Sequence, residues 1–177
     1  QYETQGFDLS ALGFRTASRQ DWPTIANLLI EAFDGPKEKG IVERLRESGD
    51  MVVEYVAEYV GEIVAHIGFC ALGTDAGDPA LKLAALVPLA VAGELEGHGI
   101  GTRLVALGLE ALRGEGFSGV LVLGDPDFYG RCGFSTEAAA RFDSSFAGPH
   151  LQALIFEPEA LNEACAKLVW PEILTDQ

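Results

Sequence analysis

Three glycines at alternate positions, Gly97, Gly99 and Gly101, stand at the head of a segment with helical patterning. Glycine-rich backbone at a helix N-terminus offers unpaired N–H groups and the positive end of the helix dipole, which suits a phosphate. Taken alone, such a loop is only a tight turn with a helix start. Tyr129 follows the next apolar run and is itself followed by Gly133 and Phe134. A phenol has an unperturbed pKa near 10 and can hand on a proton. Alone, Tyr129 reads as a structural tyrosine packed beside Phe128. Glu31, Asp34, Glu54 and Glu58 are nominal bases, but nothing in their spacing singles one out, and a solvated carboxylate is the usual fate of each.

The elements that must position these groups follow from periodicity. Leu86, Val87, Pro88, Leu89, Ala90 and Val91 end a central strand expected over 81–91, and the loop 96–101 comes next. The following helix puts Ile100, Leu104, Leu107 and Ala111 on one side, and Gly114 and Gly116 end it. Val120 to Leu123 reads as a buried strand, and 125–131 as a short helix or turn that carries Tyr129.

Upstream, residues 1–12 read as a loosely held arm and 14–17 as a first strand. Ser18 and Asp21 form a capping-box pattern with Asp in place of Glu. Trp22, Ile25, Ala26, Leu29 and Phe33 repeat at helical spacing until Asp34, Gly35 and Pro36 break the helix. A second helix runs to Glu47, with Ile41 and Leu45 on one face. Residues 51–59 and 63–71 read as a hairpin turning at Val60, Gly61 and Glu62, and 73–79 as a polar loop. Past Tyr129, 135–149 is irregular, 151–157 a late strand and 158–167 a terminal helix. The expectation is one α/β domain over 13–177.

Composition narrows the function classes. The 177 residues are 48% hydrophobic, enough for a real core. Twelve basic against 27 acidic residues give a net charge of −15, which repels nucleic acid backbones and anionic membranes. That charge reads first as a solvated acidic surface, and second as a preference for amine-bearing ligands. The apolar runs are too short to span a membrane, and no signal-peptide pattern is visible. The only methionine is Met51, so a trimmed form is expected. Cys70, Cys132 and Cys165 are widely spaced without a CxxC, which fits a reducing cytoplasm and gives no zinc site. His66, His98 and His150 are scattered; His66 lies in an apolar strand pattern and reads as a core or edge histidine. No metal is expected.

The order strand, glycine loop, helix, strand, tyrosine resembles the GNAT superfamily of N-acetyltransferases, which use an acyl group carried on coenzyme A. The family loop, Gln/Arg-x-x-Gly-x-Gly/Ala, aligns with residues 96–101, and its Tyr-x-x-x-Gly-Phe element is matched by Tyr129, Gly133 and Phe134. Gly124, Asp125 and Pro126 with Tyr129, Gly130 and Arg131 are similar to one bacterial subgroup, and the resemblance covers residues 13–174. It implies a mixed, mostly antiparallel sheet with splayed central strands, flanked by helices. It implies acetyl-CoA as cosubstrate. The pyrophosphate would lie on the backbone of Gly97, His98, Gly99, Ile100, Gly101 and Thr102, and the pantetheine arm along Leu89, Ala90 and Val91. Tyr129 would protonate the leaving thiolate, the phenol's ordinary pKa being close to a thiol's. The acceptor, a small-molecule or peptide amine, would be bound near 34–39 and 138–150. A homodimer stays open.

One position departs from the family. Glu96 stands where Gln or Arg is usual, with Glu94 close by, and His98 stands where a basic residue is common. A carboxylate about 5 Å from a pyrophosphate charge costs roughly 3 kcal/mol at an effective dielectric near 20, and less when solvated. A non-catalytic acyl-CoA sensor on the same fold therefore stands beside the enzyme as an alternative. A dinucleotide fingerprint is excluded, because Thr102 and Leu104 occupy its third glycine position in the two registers open to it, and no GK[ST] of a P-loop occurs.

Overall fold

The computed structural model describes residues 6–75, 81–161 and 166–176. Among these, the strands are β1 (Leu12–Thr16), β2 (Met51–Tyr59), β3 (Glu62–Thr74), β4 (Leu83–Val91), β5 (Gly119–Leu123), β6 (Phe142–Asp143), β7 (Leu151–Ile155) and β8 (Ala166–Val169). They join in the order β1-β2-β3-β4-β5-β7, with β8 paired to β3 and β6. Pairs β1–β2, β3–β8 and β5–β7 are antiparallel, while β4–β5 and β6–β8 are parallel. The helices are α1 (Trp22–Phe33), α2 (Lys37–Ser48), α3 (Ile100–Gly114), α4 (Pro126–Arg131), α5 (Thr136–Ala139) and α6 (Glu172–Thr175). This is the expected α/β architecture of a mixed, mostly antiparallel sheet flanked by helices. The chain divides into two compact units, Gln1–Phe69 with Val87–Gly108, and Cys70–Leu86 with Leu109–Gln177.

In the first unit, β1 pairs with β2 from Leu12↔Tyr59 to Thr16↔Tyr55. The turn into α1 is the expected capping box: the Ser18 backbone N–H donates to Asp21 Oδ2 at 2.7 Å. The Arg15 guanidinium grips the same carboxylate at 2.7 and 2.9 Å, and its hydrogen bonds hold Asp21 well below the usual carboxylate range. α1 buries Ile25, Ala26, Leu28 and Leu29, whereas Phe33, at the end of the apolar stripe, is 37% exposed. α2 buries Val42 and Leu45 and leaves Ile41 half-buried. Ile25, Leu28, Leu29 and Val42 form one apolar cluster with Val56 and Ala90. The β2–β3 turn places Val60 at φ 53° and Gly61 at φ 78°. A two-residue turn with both φ values positive is the type that matches strand twist. Residues 6–11 are mostly exposed but tethered: the Asp8 N–H donates to the Tyr59 hydroxyl at 2.8 Å, and Leu9–Ala11 forms a 3-10 turn.

In the second unit, β4 and β5 pair over three rungs, Leu83↔Gly119 to Ala85↔Leu121, although β4 runs on to Val91. So short a ladder is what splayed strands require. β5 pairs with β7 over its whole length, Gly119↔Ile155 to Leu123↔Leu151. Two expectations need correction. The segment 135–149 is not wholly irregular, since it carries α5, capped by the Ser135 hydroxyl, and β6. The terminal helix over 158–167 is absent from the described part of that span: Pro158–Ala160 is a 3-10 turn, and Ala166–Val169 is the strand β8. Ala166, Leu168 and Trp170 are buried while Lys167 and Val169 are exposed, a period of two that fits a half-buried strand. Residues 76–80 of the expected polar loop and 162–165, with Cys165, lie outside the described residues. No helix among the described residues is long and apolar enough to cross a membrane.

Candidate active site

The glycine loop lies in the first unit. After the Gly93–Leu95 turn, Glu96 is extended, and Gly97 and Gly99 sit in the left-handed region at φ 82° and 79°. An added Cβ at either glycine would meet no atom within 4 Å, so backbone conformation and not space selects glycine there. Residues 96–99 are exposed. α3 starts at once: the Arg103 N–H donates to the Gly99 carbonyl at 3.1 Å. The N–H groups of Ile100, Gly101 and Thr102 therefore fall in the first turn, where no intrahelical acceptor exists. The loop is not isolated. The His98 ring stacks on Phe7, centroids 4.2 Å apart, and Phe7 stacks in turn on Tyr59 at 5.2 Å. Upstream of the loop, Leu89 and Val91 are half-buried around the buried Ala90. The Ala92 N–H ties this end of β4 to the Val64 carbonyl of β3 at 2.8 Å.

Tyr129 lies in the second unit, on α4. Asp125 caps this helix by accepting from the Asp127 N–H at 3.0 Å, and Pro126 opens it. The tyrosine ring meets Phe128 and Phe134 edge-on, at 4.9 and 5.8 Å. It also covers Gly124 so closely that a Cβ there would lie 2.5 Å from Cε2 of the ring. Gly133, at φ 100°, turns the chain so that the Phe134 N–H returns to the Tyr129 carbonyl at 3.0 Å. The spaced Tyr, Gly and Phe are thus parts of one small knot. Tyr129 is 9% exposed, and burial, then the charges of Cys132 and Asp125, push its phenol up to about 12.

The nominal bases separate clearly. Glu31 and Asp34 are exposed, and Asp34 ends α1 in a left-handed cap. Glu58 binds Arg15 at 2.7 Å. Glu54 is not a solvated carboxylate: its side chain is 11% exposed, with Arg46 Nε at 3.2 Å and His66 Nε2 at 2.6 Å. His66 is fully buried, as its apolar strand pattern implied. Sequence reasoning missed this trio. The available signal was a single polar residue among Val64, Ala65, Ile67 and Phe69. No group of three His, Cys, Asp or Glu able to hold a metal occurs among the described residues.

The Acetyltransferase (GNAT) family profile matches residues 22–134. The uncharacterized N-acetyltransferase YhbS of Escherichia coli K12 is 35% identical over 124 residues, 70% of this chain and 72% of that protein. The uncharacterized N-acetyltransferase YjhQ of the same strain is 33% identical over 141 residues, 77% and 75% of the two chains. The crystal structure of E. coli YhbS in complex with CoA matches with a TM-score of 0.86 at 28% identity, over 93% of this chain and 92% of that one. A GNAT family acetyltransferase from Brucella melitensis in complex with acetyl-CoA matches with a TM-score of 0.76 at 26% identity, over 92% and 97%.

Proposed function

The chain belongs to the GNAT family of acetyltransferases, and from that premise we propose that it moves the acetyl group of acetyl-CoA to a primary amine. The observation that carries this reading is the loop itself, two left-handed glycines leading straight into the open first turn of α3. Such a turn supplies converging N–H donors and a positive dipole end to a pyrophosphate. The CoA complex of YhbS and the acetyl-CoA complex of the Brucella protein support the same cosubstrate here. No metal takes part in the proposal.

In this reading Gly97, His98, Gly99, Ile100, Gly101 and Thr102 hold the pyrophosphate, and Leu89, Ala90 and Val91 pair with the pantetheine arm. A backbone N–H on that strand end can stabilise charge developing on the thioester oxygen. Tyr129 gives its proton to the leaving sulfur. At about 12 the phenol is a weaker acid than an ordinary thiol near 8.5. Burial disfavours any anion, so a thiol leaving beside the buried phenol would have its own pKa raised, which narrows the gap that transfer must cross. The acceptor is a small-molecule or peptide amine, and a cytoplasmic setting goes with this chemistry. Nucleic acid is disfavoured by the charge of −15.

The test is acetyl-CoA-dependent release of free thiol with spermidine, kanamycin and a tripeptide as acceptors. Acceptor-dependent release supports the enzyme. A melting temperature raised by millimolar acetyl-CoA, with no such release across the panel, assigns the chain to the sensor class instead.

A further inference from the structure

The Arg46, Glu54 and His66 cluster has no part in the chemistry above. Arg46 is fixed by its place 5.0 Å over the Trp22 ring and by a 3.0 Å bond to the Ser18 carbonyl. It holds one oxygen of Glu54, and His66 Nε2 holds the other at 2.6 Å. A carboxylate paired to a guanidinium accepts hydrogen bonds and donates none. The imidazole proton shared with Glu54 therefore belongs to Nε2, and in neutral imidazole this leaves a bare lone pair on Nδ1. That Nδ1 is buried and has no hydrogen-bond partner among the described residues. In that neutral form Nδ1 is an acceptor, and no donor meets it among the described residues.

Its place on β3 sets the backbone that lies beside it. Val64, two residues before His66, bonds Ala92, and Gly68, two residues after, lies where a Cβ would come 2.7 Å from the Val87 carbonyl oxygen. His66 thus lies alongside residues 87–92, the stretch that holds Leu89, Ala90 and Val91. Glu54 shares a face of β2 with Val56, and the cluster packed on Val56 is apolar: Ile25, Leu28, Leu29, Val42 and Ala90. The charged groups facing the imidazole are Glu54 from β2 and Arg46, through Glu54, from α2.

We infer that Glu54 and His66 form a buried proton acceptor for the amine, with His66 Nδ1 reached through one water. The inference rests on the acetyltransferase reading. The amine nitrogen's lone pair forms the C–N bond, and the C–S bond breaks with its electron pair left on sulfur. The proton leaving nitrogen passes to the water, which gives one of its own to Nδ1. Nε2–H stays on Glu54, whose charge offsets the imidazolium until the proton returns to solvent. The thiolate takes its proton separately, from Tyr129. Being buried, His66 acts through the water, and Glu54 is a positioning residue.

His66→Gln tests this, because the glutamine amide can still donate toward Glu54 while the base is removed. On the best acceptor of the spermidine, kanamycin and tripeptide panel, kcat should fall about 100-fold or more, while acetyl-CoA binding stays within about twofold. A general base requires the rate of the wild type to rise with pH on the acid side, and that rise should flatten in His66→Gln. A kcat within about threefold of wild type, with that rise intact, makes the cluster structural and overturns the inference. A long-range ¹H–¹⁵N spectrum of histidine-labelled wild type supplies a readout that needs no variant and decides the matter if His66→Gln fails to fold. The proton on Nε2 supports the proposal, and a proton on Nδ1 overturns it. A wild type that acetylates no amine removes the acetyltransferase reading and this inference together. Turnover by the wild type with an unchanged His66→Gln removes this inference alone.

Discussion

Replacing Gly97 with alanine probes the anion loop through its conformation. The residue has φ 82°, and a Cβ there would meet no atom within 4 Å, so the methyl group meets no steric obstacle in the free protein. An L-residue held in the left-handed region costs about 1–2 kcal/mol, which glycine avoids. Gly97 is exposed, so the free loop of the variant can relax toward ordinary backbone angles. Whatever part of the cost relaxation hides in the free protein returns when a pyrophosphate demands the original shape. The losses in stability and in binding should therefore sum to about 1–2 kcal/mol. Taken wholly as stability, this lowers Tm by roughly 2–8 °C for a chain of this size. Taken wholly as binding, it raises Kd for acetyl-CoA about 5- to 30-fold. Calorimetry and thermal denaturation on the same samples measure both. Gly97→Asn, which tolerates the left-handed region, should recover much of the stability. If neither Tm nor Kd moves in Gly97→Ala, the loop does not use this conformation and the reasoning fails.

Tyr129→Phe should lower kcat about 100-fold or more with acetyl-CoA binding within about twofold, and unchanged kcat with chemistry rate-limiting would remove the tyrosine from its role. The same variant has a stability signature. The folded phenol is raised from 10.0 to about 12, so its contribution is whole below pH 10 and is lost as pH rises through 12, about 3 kcal/mol in all. Tyr129→Phe should flatten the stability curve in that window, and an equal slope contradicts the burial argument. Glu96→Gln should tighten acetyl-CoA binding by up to about tenfold, or roughly 1.4 kcal/mol, with a smaller gain in high salt. Equal or weaker binding in calorimetry means that the carboxylate faces away or makes a useful contact. Val60→Asn replaces a β-branched residue at φ 53° that is 67% exposed, and completes an Asn-Gly turn with Gly61. Thermal denaturation should show a gain of about 1 kcal/mol, or 2–4 °C, and a fall in Tm would mean that the turn is not strained at Val60.

The stretch from Leu86 to Phe134 was legible because its signals are local. Glycine spacing, apolar runs and the Tyr, Gly, Phe interval each act within a few residues, and the structure turns them into a left-handed loop, a helix start and a knot around Tyr129. The Ser18–Asp21 box and the Val60–Gly61 turn were readable for the same reason. What escaped depends on partners far along the chain. Glu159 and Ala160 favour helix, yet pairing with β3 and β6 makes Ala166–Val169 a strand. His98 gave no sign of Phe7, which lies far away in sequence and stacks on it. Glu54 read as surface because a carboxylate usually is; only the approach of Arg46 and His66 makes its burial tolerable. Tyr129 was readable as a phenol, but the rise of its pKa comes from the packing around it.

The most direct measurement follows the acetyl group itself. Acetyl-CoA carrying a ¹³C-acetyl label is incubated with the protein and the amine panel, and amide product and free coenzyme A are quantified together by mass spectrometry. The expected result is labelled acetyl on the nitrogen of at least one amine, in equal amount to the thiol released, and formed about 100-fold or more slowly by Tyr129→Phe. Thiol release without labelled amide, or bound acetyl-CoA with neither product, would contradict the assignment of amine acetylation.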